Sequence, residues 1–279
     1  MTVVDAHQHF WRLSRGDYAW LTPDLGTLHR DFEPTDLEPL LVHNGISATV
    51  VVQAAATEAE THFLIELARE HAFIKGVVGW TDFDAPEVAR RIAVLVEAGA
   101  GKVKGLRPMI QDIADPDWVA RPQLDVAFMA MIDHDLVFDA LVKPPHLGAL
   151  LARLQRQPQL RCVIDHAGKP EIAHRAFDSW ARQLQRLARE TGACCKLSGL
   201  LTEAEPGAAA ADLAPYVEHV FACFGPERVL WGSDWPVLEL ASDYSTWFAM
   251  ARDLVANCAA GFEAKVFGAT AVSVYRLDL

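Results

Sequence analysis

Three short stretches of the chain carry residue types suited to hydrolytic chemistry. In Asp5-Ala6-His7-Gln8-His9 the histidines stand two apart, so on a strand their side chains share one face. Two imidazoles converging at a strand end can bind a divalent metal. Two polar side chains satisfied by backbone carbonyls account for that pair equally well. In Trp231-Gly232-Ser233-Asp234-Trp235-Pro236 the Asp234 carboxylate can complete a metal site or take a proton from water. An aspartate there also suits the capping of a turn. In Val163-Ile164-Asp165-His166-Ala167-Gly168-Lys169-Pro170, His166 is expected to face the same cavity, and Asp165, adjacent on the strand, to point away as a structural residue.

Other side chains add to this set. Arg107 offers a planar fork to a carbonyl or carboxylate, and Lys196 and Ser198 share one face of a strand. Gln53, Trp80 and Trp235 can shape a pocket or simply pack. His29, His43, His62, His71, His134, His146, His174 and His219 fall mostly in helices or loops and are read as surface residues. No serine sits in a G-x-S-x-G elbow, so activated water is the economical nucleophile.

These side chains need elements to bring them together. Short β-branched or apolar runs at 3–9, 46–53, 73–80, 102–107, 136–142, 160–166, 193–198 and 228–234 alternate with stretches of helical period. Several runs are nearly continuous, as expected of parallel strands buried on both faces. Phe177, Trp180, Ala181, Leu184, Leu187 and Ala188 share one helix face, as do Leu213, Tyr216, Val217, Val220, Phe221 and Phe224. Gly192 and Gly225 suit left-handed caps, and Asp212 and Ser242 suit N-caps. Eight β-then-α units predict a (β/α)8 TIM barrel spanning 1–279 as one domain, with active-site residues at the C-terminal strand ends. The connection from Phe10 to Phe32 is long and carries Trp11, Tyr18 and Trp20, so it is expected to serve the site.

Composition narrows the class. Hydrophobic residues make up 51% of the 279, enough for a large core, and the net charge of -12 without a basic block excludes a nucleic-acid partner. Five cysteines with no C-x-x-C pair suit neither a disulfide framework nor a thiolate zinc site. Without a signal-like start or a membrane-length apolar run, the expectation is a cytoplasmic protein without membrane contact.

The three motifs, in order at strands 1, 6 and 8, resemble the amidohydrolase superfamily, in particular its sugar-lactone and pyrone-dicarboxylate lactonase group. The likeness covers almost the whole chain and rests on Asp5–Trp11, Gly105–Asp112, Asp165–Pro170, Cys195–Gly199, Gly232–Pro236 and the closing Phe267-Gly268-Ala269-Thr270-Ala271. The resemblance implies a metal pair in His7 and His9, with Asp234 as third ligand and as the group that activates water. It implies His166 as a substrate or metal contact and Arg107 and Lys196 as polar substrate contacts. Trp11, Gln53 and Trp235 are expected beside the substrate. Strand 5 lacks the histidine of two-metal relatives, and Arg107 rather than a lysine ends strand 4. One divalent ion, zinc first, is therefore expected, with a metal-free site as the alternative.

The expected reaction is hydrolysis of a small sugar lactone. Asp234 deprotonates water, and the oxyanion is held by the metal or by His166 with Arg107. A decarboxylase of the related type and a non-catalytic sugar-binding barrel are the rival readings. A homo-oligomer is compatible with either.

Overall fold

The computed structural model describes residues 2–279; Met1, part of the N-terminal segment considered above, lies outside them. Eight parallel strands run in the order β1 to β8: Val4–Gln8, Ala48–Val52, Ile74–Gly79, Val103–Leu106, Val137–Ala140, Cys162–Ile164, Cys194–Leu197 and Val229–Trp231. Helices α1 to α8 follow them in turn: Pro34–Asn44, Glu58–Glu70, Val88–Gly99, Asp125–Asp133, Leu147–Arg156, Phe177–Glu190, Ala210–Phe224 and Tyr244–Cys258. This is the expected (β/α)8 barrel. A last helix, α9 (Thr270–Tyr275), continues a π-helical turn at Lys265–Ala269.

Both faces of the sheet are buried, and each has its own apolar layer. Outside, the helix faces predicted at Trp180–Ala188 and Leu213–Phe224 pack on the strands, with only Phe177 partly exposed. Inside, Val4, Ala6, Val50, Val52, Val137, Val163, Cys194 and Leu230 form a compact plug with Tyr275 and Leu277 from the chain end. Alternation along the strands then dictates what lies above this layer. Two residues beyond Val137, Val163 and Cys194 stand Asp139, Asp165 and Lys196, all fully buried.

Strands β1 and β8 close the barrel through their ends. The Asp234 amide donates to the His7 carbonyl (2.8 Å) and the His9 amide to that of Trp235 (2.7 Å). Gly232 makes this closure possible, since a β-carbon there would sit 2.6 Å from Cβ of His7. Asp5 locks it, accepting from the Ser233 amide at 2.8 Å and from the Tyr244 hydroxyl at 2.8 Å.

Some local expectations are corrected. Gly192 is not left-handed; α6 ends at an extended Thr191. The N-cap of α8 is Asp243 rather than Ser242, with the carboxylate accepting from the Thr246 amide. Asp212 lies inside α7 and reaches back to the Ala209 amide at 2.9 Å. His146 is buried rather than superficial, its ring accepting from the Lys143 amide. All five cysteines are free thiols. No described helix is long and apolar enough to cross a membrane.

Candidate active site

At the C-terminal mouth of the barrel four side chains from four strand ends meet: His9, Arg107, His166 and Asp234. They form the floor of a cleft of about 230 Å³. That is below the roughly 300–1,000 Å³ of pockets for drug-sized ligands, so it suits one small ring.

The histidine pair owes its direction to a bulge. Between Asp5 and Gln8 strand β1 takes one residue more than β2, so Ala6 and His7 both fall on the inner side and His9 follows. His9 Nδ1 lies 2.7 Å from the Val52 carbonyl and must donate to it, which aims the Nε2 lone pair at Asp234 Oδ1, 3.3 Å away. His7 Nε2 lies 3.6 Å from the same oxygen. At the other ring nitrogen of His7, Lys196 Nζ stands at 3.2 Å and Asp165 Oδ1 at 3.5 Å, so either tautomer finds a partner. With its proton on Nδ1 facing Asp165, His7 presents Nε2 as a ligand.

His166 reaches the site by an unusual backbone. Strand parity alone would turn it outward, and Asp165, expected to point away, faces the interior. His166, Ala167, Gly168 and Lys169 all adopt left-handed φ, at 52°, 52°, 70° and 50°. Each non-glycine residue in that conformation costs about 1–2 kcal/mol. The surroundings hold the turn: the Trp180 indole donates to the Ala167 carbonyl (2.7 Å), and Ser198 Oγ meets His166 Nδ1 at 2.9 Å. The result swings His166 Nε2 to 3.8 Å from Asp234 Oδ1. Gly199 leaves room for it, since a β-carbon there would lie 2.5 Å from the imidazole.

Beneath the floor lies a buried charge network. Lys196 Nζ pairs with Asp139 (2.5 Å) and Asp165 (3.0 Å), and Tyr275 donates to Asp139. Arg107 faces Asp165 at 3.5 Å and His7 at 3.4 Å and donates to the Gln53 carbonyl, while its Nε–H has no protein partner. Burial would raise Asp234, but the imidazoles of His166, His9 and His7 outweigh it and hold the carboxyl well below its ordinary range. Burial lowers His166 and, together with Lys196, lowers His7, which favours neutral rings. Burial also opposes ionisation of Asp165, yet Lys196, His7 and Arg107 win and keep it a carboxylate.

The donor set fits a divalent ion. Tetrahedral zinc with bonds of about 2.0–2.1 Å separates neighbouring ligand atoms by about 3.3–3.4 Å. His9, His7 and Asp234 present theirs at 3.3 and 3.6 Å. A second group, His7, Asp165 and His166, also lies close. There Asp165 is already neutralised by Lys196 and Arg107, and His166 Nδ1 is taken by Ser198. The arrangement therefore favours one ion.

Several expected substrate contacts lie elsewhere. Trp11 is 0% exposed, donates to the Arg30 carbonyl and packs under Trp20, which is the indole that reaches the cleft. Gln53 is buried behind Arg107 and donates to its carbonyl. Trp235 packs on Phe10 and Phe32. Lys196 sits below the floor in the ion network, and Trp80 is not on the cleft wall. The wall instead includes Trp20, Leu141 and Val237 on its apolar side and Gln111, Lys169 and Thr202 on its polar side. Lys169 and Gln111 lie within motif stretches already singled out. Nothing in the sequence distinguishes Trp20 from Trp11.

Comparison with known proteins agrees with this geometry. The Amidohydrolase family model matches residues 4–277. The L-fucono-1,5-lactonase of Burkholderia ambifaria is 45% identical, over 99% of this chain and 96% of its own. The L-fucono-1,5-lactonase of Burkholderia multivorans is 37% identical, over 98% and 96%. The crystal structure of an amidohydrolase from Burkholderia multivorans with bound zinc superimposes with a TM-score of 0.93 at 36% identity, covering 100% of both chains. A fold, a motif order and a strand-end cluster that agree over this whole length place the chain in the amidohydrolase family.

Proposed function

We propose that the protein is a lactonase that opens a small sugar lactone with water, and that L-fucono-1,5-lactone is the first substrate to test. One observation carries the reading: the Asp234 carboxyl, the His166 imidazole and the Arg107 fork converge on a cleft sized for a single ring. The relatives' names supply the sugar. A deoxy sugar also matches a wall that is apolar on one side.

Asp234 is ionised at neutral pH and accepts a proton from water as the water oxygen bonds to the lactone carbonyl carbon. Arg107, with His166 beside it, faces the carbonyl oxygen where negative charge develops. The bond from that carbon to the ring oxygen then breaks, Asp234 returns the proton to the departing alkoxide, and an open-chain hydroxy acid leaves. An alkoxide departs more readily than an amine anion, so a base as weak as Asp234 is adequate. His7, His9 and Asp234 would hold the metal, and we take zinc as the ion because two imidazoles and a carboxylate are among its common ligands. When bound, it supplies Lewis-acid polarisation at the same point.

The test is acid release from a panel of aldono-1,4- and 1,5-lactones, with metal content measured before and after chelation. Turnover of the six-carbon deoxy 1,5-lactones is expected. No acid from any lactone would overturn the reading, and carbon dioxide release from a hydroxybenzoate would favour the decarboxylase.

A further inference from the structure

The cleft wall is held from behind by a carboxylate outside the catalytic cluster. Trp20 reaches the cleft from the long first connection, and its indole N–H donates to the Ala54 carbonyl at 2.7 Å. Ala54 follows β2 and itself lines the cleft. The amides of Ala54 and Ala55 both donate to Glu60, at 2.7–3.0 Å. Glu60 is fully buried in the first turn of α2 and belongs neither to the wall nor to the ion network.

The local sequence makes this placement informative. Thr57-Glu58-Ala59-Glu60 has the spacing of a capping box, in which the acid ordinarily reaches back to the amide of the N-cap residue. Thr57 does its half, accepting from the Glu60 amide at 3.1 Å. The Glu60 carboxylate does not; the Thr57 amide donates to the Ala55 carbonyl at 2.9 Å, and the acid is diverted to the wall. The same helix turn also grips the first connection. The Thr57 hydroxyl donates to Asp17 at 2.8 Å, and Arg15 pairs with Asp17 at 2.7 Å. A buried carboxylate is costly wherever it sits, and a helix start already capped by threonine does not require one.

We propose that Glu60 is a positioning residue for substrate binding: it fixes the Ala54–Ala55 peptide to which Trp20 is tethered, and so sets the angle of the indole against the sugar ring. The proposal rests on the reading that the cleft binds the lactone. Glu60 touches no reacting group, so its influence falls on KM rather than kcat.

Glu60→Gln keeps the size but turns an amide NH2 against one of the two backbone donors. In the unliganded protein, hydrogen exchange over residues 12–22 and 53–57 is expected to speed up about tenfold or more, with residues 163–170 unchanged. KM on the best lactone is expected to rise about fivefold or more with kcat within about twofold. Trp20→Phe removes the tether from the other side and should raise KM similarly. Because both act through one contact, the double variant should bind no worse than the weaker single. Additive KM effects, a kcat loss in step with no KM change, or unchanged exchange in 53–57 would each overturn the proposal. If the wild type opens no lactone, the functional reading fails, while the exchange measurement still decides whether Glu60 holds the wall.

Discussion

Replacing Lys196 by methionine removes the one cation, among the described residues, within 3.0 Å of two buried carboxylates, Asp139 and Asp165. Methionine fills much of the same volume, so the loss is electrostatic. Asp139 would retain the Tyr275 hydroxyl and Asp165 would retain Arg107 at 3.5 Å, too little for two charges in a dry barrel. Removing one partner of a buried pair costs about 3–5 kcal/mol. For a chain of 279 residues, an unfolding entropy of about 2.1 cal/mol/K per residue makes that an apparent Tm lower by about 5–9 °C. The sign of the pH effect also follows. With Lys196 present, burial already holds Asp139 above the ordinary carboxylate range. Without it both carboxyls rise above their unfolded values, so each contributes stability at low pH that is lost as pH climbs through its folded pKa. The deficit against wild type should therefore be small at pH 5 and full at pH 8. Differential scanning fluorimetry at the two pH values measures it. An equal Tm at pH 8, or a deficit that ignores pH, would refute this account of the barrel floor.

Other outcomes can be checked alongside. Asp234→Asn should lower kcat about 10²–10⁴-fold with the fold intact by circular dichroism, since the amide cannot take the proton. Arg107→Lys should cost about 10²–10³ in kcat, because an ammonium cannot reproduce the fork that spans the Gln53 carbonyl, His7 and Asp165. Tyr244→Phe removes a donor from buried Asp5 and should destabilise by about 1–3 kcal/mol in chemical denaturation, leaving KM unchanged.

The barrel was legible in the sequence because its strands are short apolar runs and its helices carry one apolar face, patterns that depend only on local period. All eight strands lie within three residues of the expected runs at either end. Asp5 to His9, the Asp165 to Pro170 turn and Gly232 to Pro236 were legible as well, because a barrel gathers the residues at its strand ends into one mouth. Parity holds through Asp165, which stands inward two residues beyond Val163 although it was expected to point away, and it breaks at His166. At His166 the left-handed turn brings the ring to the expected cavity against strand parity, and its strain is supportable only because Trp180, Ser198 and the space at Gly199 meet there from other elements. The choice of Trp20 over Trp11 depends on the long connection folding back so that one indole finds the Ala54 carbonyl and the other the Arg30 carbonyl. Lys196 became a structural cation rather than a substrate contact because Asp139 and Asp165 arrive from neighbouring strands at the same depth. Local period thus determined which residues form the strands and which stand at their ends. Only the closed barrel decided which side chains meet, because those meetings join residues far apart in the chain and depend on backbone turns that no short pattern encodes.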